Sequence, residues 1–283
     1  MINEIKLTAN AKINIGLDIV GKRDDGYHFI DTVMQSVTVG DKITVRKSSE
    51  ISVKCDRLNI DNEKNIAFKA AELFFETAEI SGGAEIVINK QIPMAAGLGG
   101  GSADAAAVLL ALNKLYDAKL SQEKLEEIAA NLGADVPFFI KGGTQRSTGI
   151  GEILTPINPL KNGYFLLIKQ GNKPSTGEMY RRLDSEKKPH PEMDSIESAV
   201  KNNDLKELAQ VIDNSFISVN EKFQLSEKLK SLGAVGISLS GSGPTWYGIF
   251  EDLKTAQNAQ KEIKADGYEC YLAKPCEKAV LFE

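Results

Sequence analysis

The sequence has few cysteines, no long apolar run and no excess of positive charge. Its three cysteines, Cys55, Cys270 and Cys276, form no Cys-x-x-Cys pair and no pattern of zinc ligands. So small and odd a number is typical of proteins in a reducing compartment. The net charge of −5 argues against a broad nucleic-acid-binding surface, because such a surface needs a basic face.

Membrane insertion and secretion are not indicated either. No apolar run approaches the roughly 18 residues that are needed to cross a bilayer. Met1–Lys6 lacks both the basic start and the apolar core of a signal peptide. We therefore expect a cytoplasmic protein without nucleic-acid or membrane partners, and the 283 residues allow two domains or one large one. The oligomeric state is left open.

What the sequence does contain is a glycine-rich stretch, PMAAGLGGGSADAAA, at Pro93–Ala107. Ala84–Asn89, before it, alternates apolar and polar residues and is predicted to be a strand. Ala105–Tyr116, after it, is rich in alanine and leucine and is predicted to be a helix. Glycines let a ligand approach the backbone closely, and the N–H groups and dipole at a helix start favour an anion. This pattern predicts a phosphate-binding loop; a flexible turn before a packed helix is the alternative.

The loop is of neither common type. A Walker loop needs a lysine near its end, and none lies between Lys90 and Lys114. A dinucleotide fingerprint needs glycine or alanine where this sequence has Ser102. Any charge or base for chemistry at this loop must therefore come from distant positions.

One source of such groups is the first predicted strand, Ile5–Leu17. Its alternation places Lys12 and Asn14 together on one face, away from the apolar side chains. A solvated strand face is the alternative, since most lysines are exposed.

A second candidate follows the turn predicted at Asp25-Gly26. Tyr27 and His28 begin the next strand, Phe29–Val39, and adjacent rings of this kind can stack on a planar base. A pair of aromatic residues at a strand edge would give the same pattern.

Short strands continue this half of the chain. Gly40-Asp41 predicts a turn into Lys42–Arg46, and Ile51–Lys54 is a further strand. Hairpin-like spacing of this kind indicates an antiparallel sheet. The apolar stripe in Asn65–Ala78 predicts a helix that covers it.

Asp135 is a lone carboxylate after a predicted helix that Ser121 caps and Gly133 ends. It is either a cap or turn residue, or a functional acid held against an apolar wall. The glycine-rich segment that follows contains Arg146 and Glu152, which either line a site or brace an edge strand.

The pattern changes after Pro156, so we predict domains at residues 1–156 and 157–283. Asp194 to Glu197 has the spacing of a capping box, with helices continuing to Leu232. Lys187–Pro191 is predicted to be a surface loop with a solvated His190. The second half has strands and helices in the βαββαβ order of a ferredoxin-like domain, and the whole chain is α+β. The predicted elements are Tyr164–Ile168, Val235–Leu239, Thr245–Phe250, Leu253–Ala265 and Tyr268–Ala273.

At this point the loop resembles that of a known superfamily, the kinases named for galactose, homoserine, mevalonate and phosphomevalonate. Its core, Pro-x-x-x-Gly-Leu-Gly-x-Ser-Ser/Ala, is matched here with one extra glycine before Ser102. The resemblance extends to a branch whose substrate is 4-diphosphocytidyl-2-C-methyl-D-erythritol, in the non-mevalonate route to isoprenoid precursors. It rests on five motifs: Ala11–Asn14, Arg23–His28, Gly97–Ala103, Gly133–Phe138 and Ser240–Pro244.

The resemblance implies an ATP-dependent kinase with an N-terminal domain like domain 2 of ribosomal protein S5. It implies that Lys12 and Asp135 are the catalytic pair, with Asp135 as general base. Asn14, Tyr27, His28, Thr176 and Tyr180 would bind the substrate. Mg²⁺ would accompany ATP, with its protein ligands open. The loop residues that would bind ATP are Pro93, Met94, Ala95, Ala96, Gly97, Leu98, Gly99, Gly100, Gly101, Ser102 and Ala103.

Two alternatives stay open at this point. One is another small-molecule kinase of the superfamily, of the homoserine or mevalonate type. The other is a non-catalytic nucleotide-binding protein of the same fold. Tyr27 and His28 argue against the first, because only a substrate with a base gives them a stacking partner. Lys12 and Asp135 argue against the second, because binding ATP requires neither.

Overall fold

Two long antiparallel strands, β1 (Glu4–Lys22) and β2 (His28–Ser48), organise the first of two sheets. The computed structural model describes residues 3–57, 64–172, 174–186 and 190–283. Bulges interrupt the pairing of β1 with β2 at three places, one of them just after Asn14. Such bulges bend a strand and re-aim its side chains, and here they lie beside the residues of the site.

The rest of the first half adds further strands to this sheet and helices that pack against it. Within the described ranges, β4 pairs with β2 and with β3, and β5 pairs with β2 and with β6. The β3–β4 pair is parallel, whereas the others are antiparallel. These strands are β3 (Ser52–Cys55), β4 (Gly83–Asn89), β5 (Thr144–Thr148) and β6 (Ile153–Pro156). The helices are α1 (Ile66–Ala78), α2 (Gly100–Leu115), α3 (Gln122–Leu132) and α4 (Val136–Lys141).

The second half forms its own antiparallel sheet, with the strand order β10-β7-β9-β8. Numbered within this half, the order is 4-1-3-2. Helices lie between the first and second strands and between the third and fourth, as in the predicted βαββαβ pattern. Its strands are β7 (Tyr164–Lys169), β8 (Gly236–Leu239), β9 (Thr245–Phe250) and β10 (Cys270–Ala273). Its helices are α5 (Thr176–Asp184), α6 (Met193–Asn202), α7 (Leu205–Val211), α8 (Ser226–Ser231) and α9 (Leu253–Ala265), with a 3₁₀ turn at Ser215–Ser218.

The chain then returns to the first sheet. The last strand, β11 (Val280–Phe282), pairs antiparallel with β1, so the C-terminal residues complete the N-terminal sheet. The sequence did not predict this strand. The two-domain α+β class agrees with the structure, and the boundary after Pro156 stays a prediction. None of the helices in the described ranges is long and apolar enough to cross a membrane.

Apolar burial explains why the two halves pack together. The apolar face of β1 (Ala11, Ile13 and Ile15) packs into one cluster with α6, α7, β7 and β9. A separate cluster lies between the first sheet and helices α1 to α4. Residues of β1 belong to both clusters, so this strand lies where the two halves meet. The polar side chains that alternate with its apolar ones lie there too.

Two local predictions were wrong. Gly40-Asp41 makes no turn, because β2 runs through it, and Gly40 instead lets β2 pass close to Asn10 on β1. The predicted capping box is absent, because α6 begins at Met193 and the Asp194 carboxylate pairs with Arg146. The short helix Val136–Lys141 was not among the elements predicted from the sequence. Lys187–Pro189 of the predicted surface loop lies outside the described residues.

Candidate active site

A cavity of about 610 Å³ opens between the glycine loop, the N-terminus of α4 and the N-terminus of α5. The Ser240–Pro244 motif, called the second glycine segment below, also contributes Gly241 and Ser242 to the cavity wall. The predicted site residues in its wall are Lys12, Asn14, Ala95, Gly97, Gly99, Ser102, Asp135, Thr176 and Tyr180. The cavity thus brings together residues from both halves of the chain.

Lys12 and Asp135 meet at this cavity. Lys12 is 4% exposed, and its Nζ lies 3.5 Å from Oδ2 of Asp135. The ammonium also donates a 2.6 Å hydrogen bond to Oδ1 of Asn14. The predicted common face of Lys12 and Asn14 on β1 is therefore present, and it is covered rather than solvated. A buried ammonium needs partners of this kind, because desolvation of an unpaired charge is costly.

The Asp135 carboxylate has no structural capping role. The residue occupies the N-cap position of α4, yet its side chain makes no capping hydrogen bond. The side chain is 42% exposed, so a ligand in the cavity can reach it. The capping hydrogen bond of the first interpretation is therefore absent, although Asp135 does lie in a turn, and a functional role of this acid stays a prediction.

The glycine loop approaches β1 and the second glycine segment closely. Gly97 and Gly99 have φ of +76° and +72°, values that suit glycine. A Cβ on Gly97 would lie 2.4 Å from the carbonyl oxygen of Ser240, and one on Gly99 would lie 2.6 Å from the ring of Phe139. No side chain caps α2, which starts at Gly100. The loop therefore presents the N-terminus of a 16-residue helix to the cavity, as a phosphate site requires.

Ser240 fastens the two glycine segments to β1. Its Oγ donates to the carbonyl oxygen of Gly97 at 2.9 Å and accepts from the backbone N–H of Asn14 at 3.3 Å. Tyr247 adds a 2.9 Å hydrogen bond from its hydroxyl to the carbonyl oxygen of Asn14. These contacts fix the loop relative to Lys12. No sequence signal indicated this role for Ser240 beyond its place in a serine- and glycine-rich motif.

Tyr180 supplies an aromatic wall from α5. It stacks on His28 with ring centroids 4.6 Å apart and meets Phe216 edge-on at 5.0 Å. Burial raises the pKa of Tyr180 to about 12, and the charge of Asp135 adds to the shift. The phenol is therefore neutral at physiological pH and lies within electrostatic reach of the candidate base.

His28 lies behind Tyr180 and does not line the 610 Å³ cavity. Its Nε2 is 2.6 Å from Oδ1 of Asp184, and the Lys22 ammonium is 2.5 Å from the other oxygen of that carboxylate. The hydrogen bond from Lys22 lowers the pKa of Asp184, and His28 adds to this effect. Asp184 was not predicted, although its i+4 spacing from Tyr180 places both on one face of α5.

Tyr27 does not contribute to the cavity wall. It lies beside the β1–β2 turn with 63% of its surface exposed. The structure thus brings Lys12, Asn14, Asp135, Thr176 and Tyr180 together, holds His28 one layer behind and leaves Tyr27 outside. Of the eleven loop residues predicted to bind ATP, Ala95, Gly97, Gly99 and Ser102 reach the cavity, whereas Ala96, Leu98 and Ala103 are buried in the cores.

Arg146 and Glu152 brace the fold and do not line the cavity. Arg146 pairs with Asp31, and its other contacts are carboxylates of α6. Glu152 accepts a 2.6 Å hydrogen bond from the backbone N–H of Ile150 in its own turn. His190 is exposed as predicted, but its Nδ1 is also 2.9 Å from the Asp18 carboxylate.

The described part of the chain contains no group of three histidine, cysteine or acidic side chains that could hold a metal ion. The sequence prediction left the protein ligands of Mg²⁺ open, and Mg²⁺ often prefers phosphate oxygens and water as ligands.

Two family models match the chain. "GHMP kinases N terminal domain" matches residues 65–143, and "GHMP kinases C terminal" matches residues 196–269. The first match contains the glycine loop and Asp135, and the second contains the Ser240 segment. The family matches thus include part of the cavity wall, whereas Lys12, Asn14, Thr176 and Tyr180 lie outside both of them.

Named relatives align over nearly the whole chain. A protein of Clostridium beijerinckii named 4-diphosphocytidyl-2-C-methyl-D-erythritol kinase is 41% identical, with 92% of this chain and 96% of that protein covered. A crystal structure of 4-(cytidine 5′-diphospho)-2C-methyl-D-erythritol kinase is 31% identical, with a TM-score of 0.80 and coverage of 95% and 98%. Homoserine kinase from Cytophaga hutchinsonii reaches the same TM-score at 20% identity, with coverage of 100% and 98%, which shows a shared fold alone.

Proposed function

The chain belongs to the family of 4-diphosphocytidyl-2-C-methyl-D-erythritol kinases, and we propose that its cavity transfers the γ-phosphoryl group of ATP to the 2-hydroxyl of that substrate. The family makes it an ATP-dependent kinase of isoprenoid precursor synthesis. The observation that carries the assignment of the site is the Lys12–Asp135 pair beside the glycine loop.

Asp135 acts as the general base in this proposal. A hydroxyl is a weak nucleophile, so a carboxylate that accepts its proton as the O–P bond forms accelerates the transfer. The Asp135 carboxylate is accessible from the cavity and makes no capping hydrogen bond. The proton therefore leaves the substrate oxygen for Oδ1 or Oδ2 of Asp135.

Lys12 orients that carboxylate and stabilises negative charge. Its ammonium, held by Asn14, lies between the candidate base and the loop. Charge that develops on the acceptor oxygen and the phosphoryl group is stabilised there by a fixed cation in a low-dielectric site. Asn14 itself is held by a 2.8 Å hydrogen bond to Thr32, so the Lys12 head group has a defined position.

The glycine loop and the start of α2 hold the ATP phosphates. The glycines permit close approach of the phosphates, and the helix N-terminus favours their charge. We propose that Mg²⁺ enters with ATP, where it would neutralise phosphate charge. An ATP-dependent reaction of this kind agrees with the cytoplasmic location predicted from the sequence.

The cytidine end of the substrate belongs on the α5 side of the cavity. Tyr180 offers a ring face, Thr176 lies one helical turn away from it, and His28 supports Tyr180 from behind. Tyr27, exposed at the hairpin, would have to contact the substrate from outside the cavity wall.

The test is ATP-dependent phosphorylation of 4-diphosphocytidyl-2-C-methyl-D-erythritol, run beside homoserine and mevalonate. We expect transfer to the cytidine-bearing substrate alone, because only this substrate gives the α5 wall a base to hold. Transfer to homoserine or mevalonate alone would overturn the proposed substrate, and no transfer to any of the three would overturn the proposed reaction.

A further inference from the structure

Three charged residues form a buried cluster directly beneath the glycine loop. Lys90 follows β4, Asp41 lies in β2 and Asp104 lies in α2, and their side chains are 5%, 0% and 6% exposed. The Lys90 ammonium donates to Oδ2 of Asp41 and, at 2.7 Å, to Oδ2 of Asp104. None of these residues lines the 610 Å³ cavity, so the proposed chemistry does not use them.

The cluster holds both ends of the loop. On the strand side, Oδ1 of Asp41 accepts hydrogen bonds from the backbone N–H groups of Gln91 and Ile92, at 2.6 and 2.8 Å. On the helix side, Asp104 ties the second turn of α2 to Lys90. A Cβ on Gly100, the first residue of α2, would lie 3.3 Å from the Lys90 Nζ. The ammonium therefore lies close to the helix start that would present its N–H groups to phosphates.

The charges of the cluster do not balance unless one carboxyl group is protonated. Two carboxylates face one ammonium, and Oδ1 of Asp104 is buried without a hydrogen-bond partner in the described part of the chain. Burial raises the pKa of Asp104 to about 8; the charge of Lys90 opposes this shift, and that of Asp41 adds to it. The pKa of Lys90 is raised despite its burial, because both carboxylates stabilise the ammonium.

We propose that Lys90, Asp41 and Asp104 are positioning residues for the nucleotide, and that the loop binds ATP best when Asp104 carries a proton. In that state the cluster is neutral, with an ammonium, one carboxylate and one carboxylic acid. Loss of the proton leaves a net negative charge beneath the phosphate-binding helix start. This charge opposes the helix dipole and repels the phosphates. The inference rests on the ATP-binding half of the proposed function and on nothing about the acceptor.

The other charged group bonded to this segment is Asp56, which follows β3. Its carboxylate accepts a 2.9 Å hydrogen bond from the backbone N–H of Lys90. Two apolar side chains, Ile92 and, on α1, Ile66, lie beside Gly100 and Gly101 at the start of α2. Among the described residues, the charges that shift the pKa of Asp104 are those of Lys90 and Asp41.

The experiment measures the affinity of the whole chain for fluorescent N-methylanthraniloyl-ATP with Mg²⁺ as the pH rises. For the wild-type chain we expect about tenfold weaker binding at about pH 9 than at about pH 7. This is the size of the repulsion between one negative charge and a phosphate charge roughly 10 Å away at an effective dielectric constant of about 20. The Asp104→Asn variant keeps an acceptor for Lys90 and a donor in place of the acid proton. It should lack the alkaline weakening, so its affinity at about pH 9 should match its own affinity at about pH 7.

Asp117→Asn is the matched control, because Asp117 follows the same helix with its side chain 82% exposed. It should retain the wild-type pH dependence. If Asp104→Asn does not fold, Asp41→Asn is the second variant, and it should shift the alkaline transition to lower pH because it removes the neighbouring negative charge.

Parallel pH profiles for the wild type and Asp104→Asn would overturn the inference, as would an unshifted transition in Asp41→Asn. A wild-type chain that binds no ATP analogue at any pH would instead refute the proposed function. A wild-type chain that binds the analogue but phosphorylates none of the acceptors refutes the proposed reaction and leaves the positioning inference testable.

Discussion

At the scale of single residues, the Asp135 side chain makes no capping hydrogen bond, so the chemical role that we propose for it does not compete with a capping role. Gly133 ends α3 and Val136 begins α4, so Asp135 lies in the tightest part of the connection. A residue there usually caps the helix that follows. Here the carboxylate faces Lys12 instead, and the helix start is built without it. Removal of its charge should therefore affect turnover far more than folding.

We predict that Asp135→Asn lowers kcat by on the order of 10³-fold, because an amide cannot accept the proton of the acceptor hydroxyl. KM for ATP should stay within about twofold, since the phosphates are held by the loop and the start of α2. Steady-state kinetics with both substrates, at matched circular dichroism spectra, measures the two effects separately.

The control for this prediction is Asp25→Asn, a matched change of an exposed carboxylate that pairs with Arg23 in the β1–β2 turn. It should leave kcat unchanged. If Asp135→Asn turns over at a rate near that of the wild type, Asp135 is not the general base, and the Lys12–Asp135 pair is a structural ion pair.

At the scale of elements, the glycine loop depends on close packing as much as on flexibility. Gly97 has a positive φ, and its Cα faces the carbonyl oxygen of Ser240 across the two glycine segments. The same loop accepts a 3.0 Å hydrogen bond at the Leu98 carbonyl from the backbone N–H of Lys12. A side chain at position 97 must therefore separate elements that together form the proposed phosphate site.

We predict that Gly97→Ala raises KM for ATP by about tenfold or more and destabilises the fold by about 1–3 kcal/mol. The added Cβ would lie 2.4 Å from the Ser240 oxygen, so either the loop or the Ser240 segment must move. ATP-dependent kinetics and urea unfolding of the same preparation measure both effects.

Gly267→Ala is the control that distinguishes the effect of a Cβ clash from the effect of a positive φ. Gly267 has a similar φ of +87°, but a Cβ added there would meet no atom within 4 Å, and the residue lies beyond the end of α9. The variant should lose about 1 kcal/mol of stability with no change in KM for ATP. Equal KM changes in the two variants would mean that contact with Ser240 does not shape the nucleotide site.

Elements with a clear local period were predictable, whereas those set by distant contacts were not. Thr245–Phe250 and Leu253–Ala265 match the sequence prediction residue for residue, because each has its own apolar pattern. The sequence predicted a turn at Gly40. Glycine is needed there because Asn10 lies too close to leave room for a Cβ, and no local sequence pattern indicates this contact. The β11 strand pairs with the first strand of the chain, and such a pairing has no local signal either.

The site shows the same division. Lys12 and Asn14 were placed on one strand face by alternation alone, and their hydrogen bond confirms that face. The pairing of Lys12 with Asp135 followed only from the resemblance, since the two residues are far apart in sequence. Lys90, Asp41 and Asp104 were missed, because charged residues at strand ends and in a helix usually face solvent, and only the tertiary structure shows their burial.

At the scale of the whole molecule, Arg146 links the first sheet to α6 of the second half. Its guanidinium makes two hydrogen bonds to Asp31 of β2, at 2.8 and 2.6 Å. Nη1 reaches Glu197 at 2.7 Å and Asp194 at 2.6 Å on α6. Asp194 is 91% exposed, so its pair contributes little, whereas Asp31 and Glu197 are largely covered.

We predict that Arg146→Met lowers the free energy of unfolding at neutral pH by about 2 kcal/mol, less than the ~3–5 kcal/mol of a fully buried pair. Burial alone would raise the pKa of Glu197, but hydrogen bonds from Lys201 and Arg146 lower it. A carboxylate with a lowered pKa stabilises the fold above its unfolded value of about 4.3, and this contribution is lost as the pH falls through the folded value. The difference between Arg146→Met and the wild type should therefore shrink in acid.

Urea unfolding of both chains at neutral and acid pH measures this difference, and Arg181→Met is the matched control. Arg181 is 73% exposed, and its ion pair among the described residues is with Glu178 of the same helix, so its loss should cost less than about 0.5 kcal/mol at either pH. The cost at Arg146 arises because Asp31 and Glu197 stay covered when their cation is removed. An equal loss in the two variants would show that apolar packing of β1 against α6 joins the halves without this ion cluster. An Arg146→Met deficit that persists unchanged in acid would show that the contribution of Arg146 does not depend on ionised carboxylates.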